Sequence, residues 1–319
     1  MKFSQLFTID YKLICCVAIA WMIELALGAP GFARKARARL AGTVRKAARR
    51  AALKVSVRAS ALLLIYCIAI VIIATAAVLD LLRKMHPSLY YTVSALLFSL
   101  TFTTRSAADE ARAVLQNANT RRCSALESEV YRNSIKRLSE SCLIGSLAPL
   151  TLISAGIFFG LAAPLASAFK TYAFIMYAIT DKNSGRGAGC CDGGGLAGIY
   201  KAAWKTGRAV CYIPAQICGI LLPPLAFICG TGARGFANGL RATREIAVDR
   251  LFLQSDTAEN RIISFSEIPA AAYAGTLRID MRTPCERDVR KAILMTLAAS
   301  IEFIILFCAV FALIFISTR

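Results

Sequence analysis

Apolar residues gather into long runs separated by strongly charged stretches, and the spacing in both is helical rather than alternating. The first run is Tyr11 to Leu27, closed by Gly28-Ala29-Pro30 and carrying Glu24 near its end. Ala61 to Leu82 is the clearest, long enough for a hydrocarbon layer of about 30 Å. Leu89 to Phe102 follows across a short link, with Pro87 suited to the first turn of its helix. Cys142 to Ile179 is interrupted only by Lys170. That block is either one long span plus a re-entrant segment or two spans folded at Pro164. A fifth run, Ala209 to Cys229, is kinked or broken by Pro223-Pro224, and a last one covers Leu294 to Ile316. The pattern predicts an all-α, multi-pass integral membrane bundle with about five to six transmembrane helices in a single membrane domain over 1–319.

The polar stretches are helical too. Residues 31–59 hold ten basic side chains and no acid, with Phe32, Ala36, Leu40 and Val44 repeating every fourth position. This predicts a basic amphipathic helix at the cytoplasmic interface, either a topology and lipid anchor or a landing surface for an anionic substrate such as a nucleotide. Residues 104–141 predict a polar helical segment, in which Ala107 to Asn119 forms one helix and Ser128 to Glu140 another. The second runs straight into the apolar block, with Leu126, Val130, Ser134 and Leu138 on one weakly apolar face. Glu129 with Arg132, and Lys136 with Glu140, stand at ion-pair spacing on its polar side. Residues 184–198 are glycine-rich without a Walker pattern and predict a flexible loop rather than a phosphate cradle. Residues 231–294 are the largest polar segment, expected as short helices and loops that include Ala270 to Leu277.

Composition agrees with the pattern. Hydrophobic residues make up 57% of the chain and the mean hydropathy is +0.58, above the usual globular range. The net charge of +19 sets topology and engages a bilayer with anionic lipids. Its basic residues flank apolar runs and no nucleic-acid module is legible, so no nucleic-acid partner is expected. Most of the twelve cysteines lie inside apolar runs or side by side, and the single histidine is His86, so no structural zinc is expected. No cleavable signal peptide is expected, because the first apolar run lacks a strong basic flank and contains Glu24. Glu24 is either an interfacial carboxylate or an acid facing an internal site.

Several stretches resemble the CobD/CbiB family of cobalamin biosynthesis, the membrane-embedded adenosylcobinamide-phosphate synthases. Arg105-Ser106 and the alanine-rich helix through Val114-Leu115 are similar to the family's Arg-Ser-Leu helix. Glu140 through Leu150 resembles its Glu-Asn stretch that runs on to Val-Ala-Pro-Leu. Ala202-Ala203 through Tyr212-Ile213-Pro214-Ala215 resembles its Ala-Ala-Arg segment ending in Tyr-Ile-Pro-Ala-Arg. Pro269 to Leu277 is similar to its Pro-x-Ala-Ala-x-Ala-Gly-Ala-Leu, followed by Asp288-Val289-Arg290-Lys291-Ala292. Several family acids are replaced: Gly28-Ala29-Pro30 stands for Gly-Asp-Pro, Gly207-Arg208 for two aspartates, and Ile144 for an aspartate four residues after the glutamate.

The resemblance implies ATP-dependent amide formation between a carboxylate of adenosylcobyric acid and aminopropanol or its phosphate. A corrinoid and aminopropanol (phosphate) are the implied substrates, ATP and Mg2+ the implied cofactors, and the bacterial cytoplasmic (inner) membrane the implied setting. It implies catalytic roles for Glu140, Arg105 and Lys170, and substrate binding by Ser106, Lys182, Asn183, Arg208 and Gly275. Metal ligands are not identified. Arg105 and Glu140 both stand where a polar helix meets an apolar run, and a boundary carboxylate there is costly unless paired or hydrated. The expected arrangement has Arg105 and Lys170 or Lys182 converging on Glu140 at a polar cavity, against a salt bridge that only fixes helix orientation. Two other functions remain open: a non-catalytic membrane protein on the same scaffold, such as an AmpE-like signalling modulator, and a transporter.

Overall fold

The computed structural model describes residues 10–28, 39, 57–118, 124–180, 195–252 and 267–317. Every regular element among them is a helix. We number the α-helices α1 Tyr11–Leu27, α2 Val57–Met85, α3 Pro87–Thr101, α4 Thr104–Ala118, α5 Ser124–Cys142, α6 Ala148–Phe159, α7 Ala162–Thr180, α8 Gly195–Leu221, α9 Gly232–Phe252, α10 Glu267–Leu277 and α11 Glu286–Ser317. A π turn, Leu143–Leu147, joins α5 to α6, and a 3-10 turn, Pro223–Ala226, follows α8. The chain is an all-α bundle of membrane type. Residues Leu62–Met85, Glu127–Phe159 and Glu286–Ser317 are long and apolar enough to cross a bilayer, and Val210–Ala226 is a shorter apolar helix.

Among the described residues these three helices meet that length and hydropathy. α1 and α3 have 17 and 15 residues, short of the roughly 20 that a perpendicular crossing needs. Of the apolar stretch in α2, only 11% is buried, which leaves most of its side chains to lipid. Most of the basic amphipathic stretch 31–59 lies outside the described residues, as do 184–194 of the glycine-rich stretch; Gly195 and Gly198 fall in the first turn of α8.

The helices sort into two compact units. The first comprises Met1–Ile23, Ala29–Thr101 and Leu152–Ala209. Here α2, α3 and α7 pack on one another around Leu79, Tyr90, Phe98 and Phe169. Asp10 closes the start of α1, its Oδ1 accepting the Lys12 N–H at 3.1 Å, while its Oδ2 accepts the Tyr91 O–H at 3.1 Å and ties α1 to α3. The block 142–179 folds back at Gly160, not at Pro164. Gly160 sits at φ +69°, and the Leu161 N–H reaches back to the Gly156 carbonyl at 2.8 Å. That left-handed residue with its back-reaching bond is a Schellman stop, which glycine adopts without strain. Pro164 falls in the first turn of α7, where a missing N–H is harmless.

The second unit comprises Glu24–Gly28, Phe102–Thr151 and Val210–Arg319. In it α11 lies along α4, α5 and α10, and α9 pairs closely with α10. The fully buried side chains include Ile135, Leu138, Leu222, Tyr273 and Phe303. The buried stripe of α5 is Tyr131, Ser134, Ile135, Leu138 and Cys142, shifted round the helix from the Leu126-Val130-Ser134-Leu138 face read from spacing. Arg132, expected to pair with Glu129, instead donates from Nε to the Met281 carbonyl at 2.6 Å and from Nη2 to the Arg282 carbonyl at 2.8 Å. This side chain thereby secures the link between α10 and α11. Between residues 231 and 252, where short helices and loops are expected, α9 forms a single 21-residue helix.

Candidate functional site

Polar groups inside the second unit concentrate where α4 begins and α5 gives way to the π turn. α4 opens three residues earlier than the alanine-rich pattern indicates, so Arg105 and Ser106 lie in its first turn. Its cap comes from a distant part of the chain. Thr103 is the N-cap by its backbone, accepting the Ala107 N–H at 3.1 Å, but the Arg105 N–H donates to Glu24 Oε1 at 2.9 Å. A carboxylate at a helix N-terminus satisfies an otherwise orphaned donor and complements the macrodipole. Glu24 is 4% exposed, so its carboxylate faces the protein interior rather than solvent. Gly28 ends α1 in a left-handed turn at φ +63°, its N–H bonded to the Glu24 carbonyl at 2.7 Å. A Cβ there would come within 3.1 Å of Arg105 Cγ, so the glycine lets the turn lie against this arginine.

The π turn supplies the second half of the site. The Gly145 carbonyl has no α-helical donor four residues on, because that residue is Pro149, and it accepts the Thr103 N–H at 3.1 Å instead. Ser141 Oγ donates to the Thr103 carbonyl at 3.4 Å. Deeper in, the hydroxyls of Thr104 and Ser146 are hydrogen-bonded to each other, and Ser146 Oγ lies 3.5 Å from Ser300 Oγ of α11. All three hydroxyl residues are buried. The seam therefore joins α4, the π turn and α11 by hydrogen bonds through an apolar interior. Such bonds contribute about 1 kcal/mol each, and leaving a buried partner unmet costs about 1–3 kcal/mol.

At the outer edge of the seam the groups are charged. Arg105 Nε lies 3.1 Å from Asp109 Oδ1, and Arg112 Nη1 lies 2.9 Å from the same oxygen. All three side chains are about a third to two-fifths exposed, so these pairs orient the guanidiniums more than they stabilise the fold. Glu140 is half-buried at the end of α5, three residues before the π turn, and Ser106 is buried in α4. The site thus presents two guanidiniums oriented by Asp109, groups suited to holding an anionic group.

The remaining sequence candidates fall elsewhere. Lys170 is half-buried on α7 in the first unit. Lys182 and Asn183 lie outside the described residues, and Arg208 is placed in α8 with its side chain undescribed. Gly275 stands at the crossing of α10 with α9, where a Cβ would come within 2.6 Å of the Asn238 carbonyl oxygen. The structure thereby gives it a packing role. Among the described residues no three His, Cys, Asp or Glu side chains come together as a metal-holding group. Asp109 is already shared by two arginines, so the described residues do not fit a protein-held divalent cation.

Sequence reading overlooked two features. Nothing in the local sequence marks Glu24 as the cap of α4. Glu302, the one acid in the apolar part of α11, was readable as a charge within a span. In α10, burial pushes the Tyr273 phenol well above its ordinary value, the Cys142 thiol adds to that, and a 2.8 Å hydrogen bond with Thr296 partly offsets it. No family model, no curated protein and no solved structure matches the chain.

Proposed function

We propose that the protein is a divergent membrane-embedded synthase of the CobD/CbiB type, resident in the bacterial cytoplasmic membrane. It joins aminopropanol or its phosphate to a carboxylate of adenosylcobyric acid at the expense of ATP. One observation carries the reading. Arg105-Ser106 opens α4, Glu140 to Leu150 crosses the π turn, Tyr212 to Ala215 lies in α8, Pro269 to Leu277 lies in α10, and Asp288 to Ala292 opens α11. Apart from Ala202 to Ala209, which falls in the first unit, the stretches that bear the resemblance belong to the second compact unit although they are far apart in sequence.

Arg105, held by Asp109 and by the Glu24 cap on its own backbone, offsets negative charge on a phosphoryl group during carboxylate activation. Glu140 accepts a proton or orients the attacking amine at the membrane boundary. No step is assigned to a protein-held metal, because the described carboxylates do not fit one; ATP would bring its own magnesium as part of the nucleotide complex.

The test is reconstitution. Purified protein in lipid nanodiscs is given adenosylcobyric acid, magnesium ATP and aminopropanol phosphate, and the amide product is read by mass spectrometry. Product that disappears with Glu140→Gln, in a variant that keeps its helicity, supports the synthase. A folded wild-type protein that makes no product sinks it. The second reading, a non-catalytic modulator on the same scaffold, is favoured by one observation: Asp109 is already engaged by Arg105 and Arg112.

A further inference from the structure

Glu302 stands eleven residues beyond Lys291, about 16 Å along α11 at roughly 1.5 Å per residue. That is close to half of a hydrocarbon layer of about 30 Å, and Glu302 is the only acid after Asp288. Its side chain is half-buried, and Oε2 is fully buried with no hydrogen-bond partner among the described residues. A carboxylate this deep is expensive to leave charged and unpaired, and acids in such places mark proton or ion sites. An orphaned buried oxygen calls for a partner of some kind.

Among the described residues no base pairs with Glu302, and the neighbouring helices supply a polar thiol. Cys218 of α8 lies within electrostatic reach of Glu302 and of Cys142 at the end of α5. Cys142 in turn meets Tyr273 of α10, whose hydroxyl is 2.8 Å from Thr296 Oγ1 of α11. On the α4 side, the polar group facing α11 is Thr104, 3.5 Å from Ser300. Cys142, Cys218 and Tyr273 are sealed from solvent. The ligand that suits a lone carboxyl beside a buried thiol is the smallest one.

We propose that Glu302 is a proton-binding site inside the apolar layer, beside the buried thiol of Cys218 in α8. It stands apart from the synthase reading, because Glu302 lies in none of the stretches that carry the resemblance. A bound proton makes the side chain neutral and supplies the hydrogen that the surroundings of Oε2 do not.

Dicyclohexylcarbodiimide tests this on the full-length protein in nanodiscs. The acid O–H adds across one C=N bond: the proton goes to nitrogen and the carboxyl oxygen bonds to carbon. Acyl migration to nitrogen then gives a stable N-acylurea, and nothing leaves. Peptide mapping should find the adduct on Glu302, falling as pH is raised, lost in Glu302→Gln and kept in Glu302→Asp. A water-soluble carbodiimide should leave Glu302 unmodified while it marks exposed acids such as Glu245. Wild-type Glu302 that escapes the apolar reagent, or reacts equally with the soluble one, overturns the proposal. Both outcomes are read on the wild type, so the test stands even if a variant fails to fold.

Discussion

Replacing Gly275 with alanine separates packing from ligand binding at the crossing of α9 and α10. The added Cβ would lie 2.6 Å from the Asn238 carbonyl oxygen, 2.9 Å from its carbon and 3.0 Å from Gly239 Cα. All three neighbours are backbone, so no rotamer change relieves the overlap, and ordinary contact begins only near 3.4 Å. The helices must part by about 0.8 Å. Overpacking of this kind costs about 1–3 kcal/mol. Parting the helices also stretches the 2.7 Å bond from Thr231 Oγ1 to the Thr276 carbonyl, worth about 1 kcal/mol. Alanine returns about 1 kcal/mol of helix propensity. The net loss is about 1–3 kcal/mol. Titration with sodium dodecyl sulfate in mixed micelles, followed by far-ultraviolet circular dichroism, reads it as unfolding at lower detergent fraction. Gly160→Ala is the control: no atom lies within 4 Å of its Cβ, so only the left-handed backbone costs, about 1–2 kcal/mol. Amide exchange in α9 should quicken in Gly275→Ala and stay unchanged in Gly160→Ala. A Gly275→Ala protein as stable as wild type would refute the close-approach argument, and one that is stable yet loses substrate would return Gly275 to the binding residues.

Three further outcomes follow from the hydrogen bonds. Glu24→Ala should cost about 1–2 kcal/mol by uncapping α4, whereas Glu24→Gln keeps an acceptor and most of the stability; equal losses in the two variants on denaturant titration would count against a capping role. Arg132→Ala frees the Met281 and Arg282 carbonyls, so limited proteolysis should cut the link between α10 and α11 faster than in wild type, with the helices themselves little changed. Tyr273 holds its proton more tightly when folded, so its contribution to stability is complete below the ordinary tyrosine value near 10 and declines as pH rises above it. Tyr273→Phe, compared with wild type by the same titration, should flatten that alkaline decline; parallel curves would exclude it.

Local pattern predicted the helices well where a helix is decided by its own residues. Tyr11 to Leu27 coincides with α1, Pro87 opens α3, and the double proline ends α8. Failures arose wherever a distant group decides. Arg105 looks like a linker residue because nothing near it offers a cap; Glu24, from another helix, does. Spacing placed the inner face of α5 too far round because Tyr131 and Ile135 face inward while Val130 is only half-buried. Arg132 has a glutamate at ion-pair distance in sequence, yet two carbonyls in a preset geometry hold it. The fold-back at Gly160 was legible in principle, since a glycine just past an apolar run is a stop signal, but Pro164 is the louder breaker. As for the site, Arg105 and Glu140 were legible as boundary charges, whereas the seam of Thr104, Ser146 and Ser300 was not. Hydroxyls within apolar helices are common, and only the tertiary arrangement shows which of them meet.

The π turn at Leu143–Leu147 also bears on ancestry. Its bond from the Ala148 N–H to the Leu143 carbonyl spans one residue more than an α-helical turn. A gene copy with one codon added inside a continuous helix produces such a turn, with the surplus residue absorbed locally and the flanking helices still in phase. By the same logic, a one-codon deletion here would be tolerated by the side chains that α5 and α6 bury. It would shift the Gly145 carbonyl, and Thr103 would lose its acceptor. At this place in the chain, insertion and deletion alter the contact with Thr103 more than the packing of the helices.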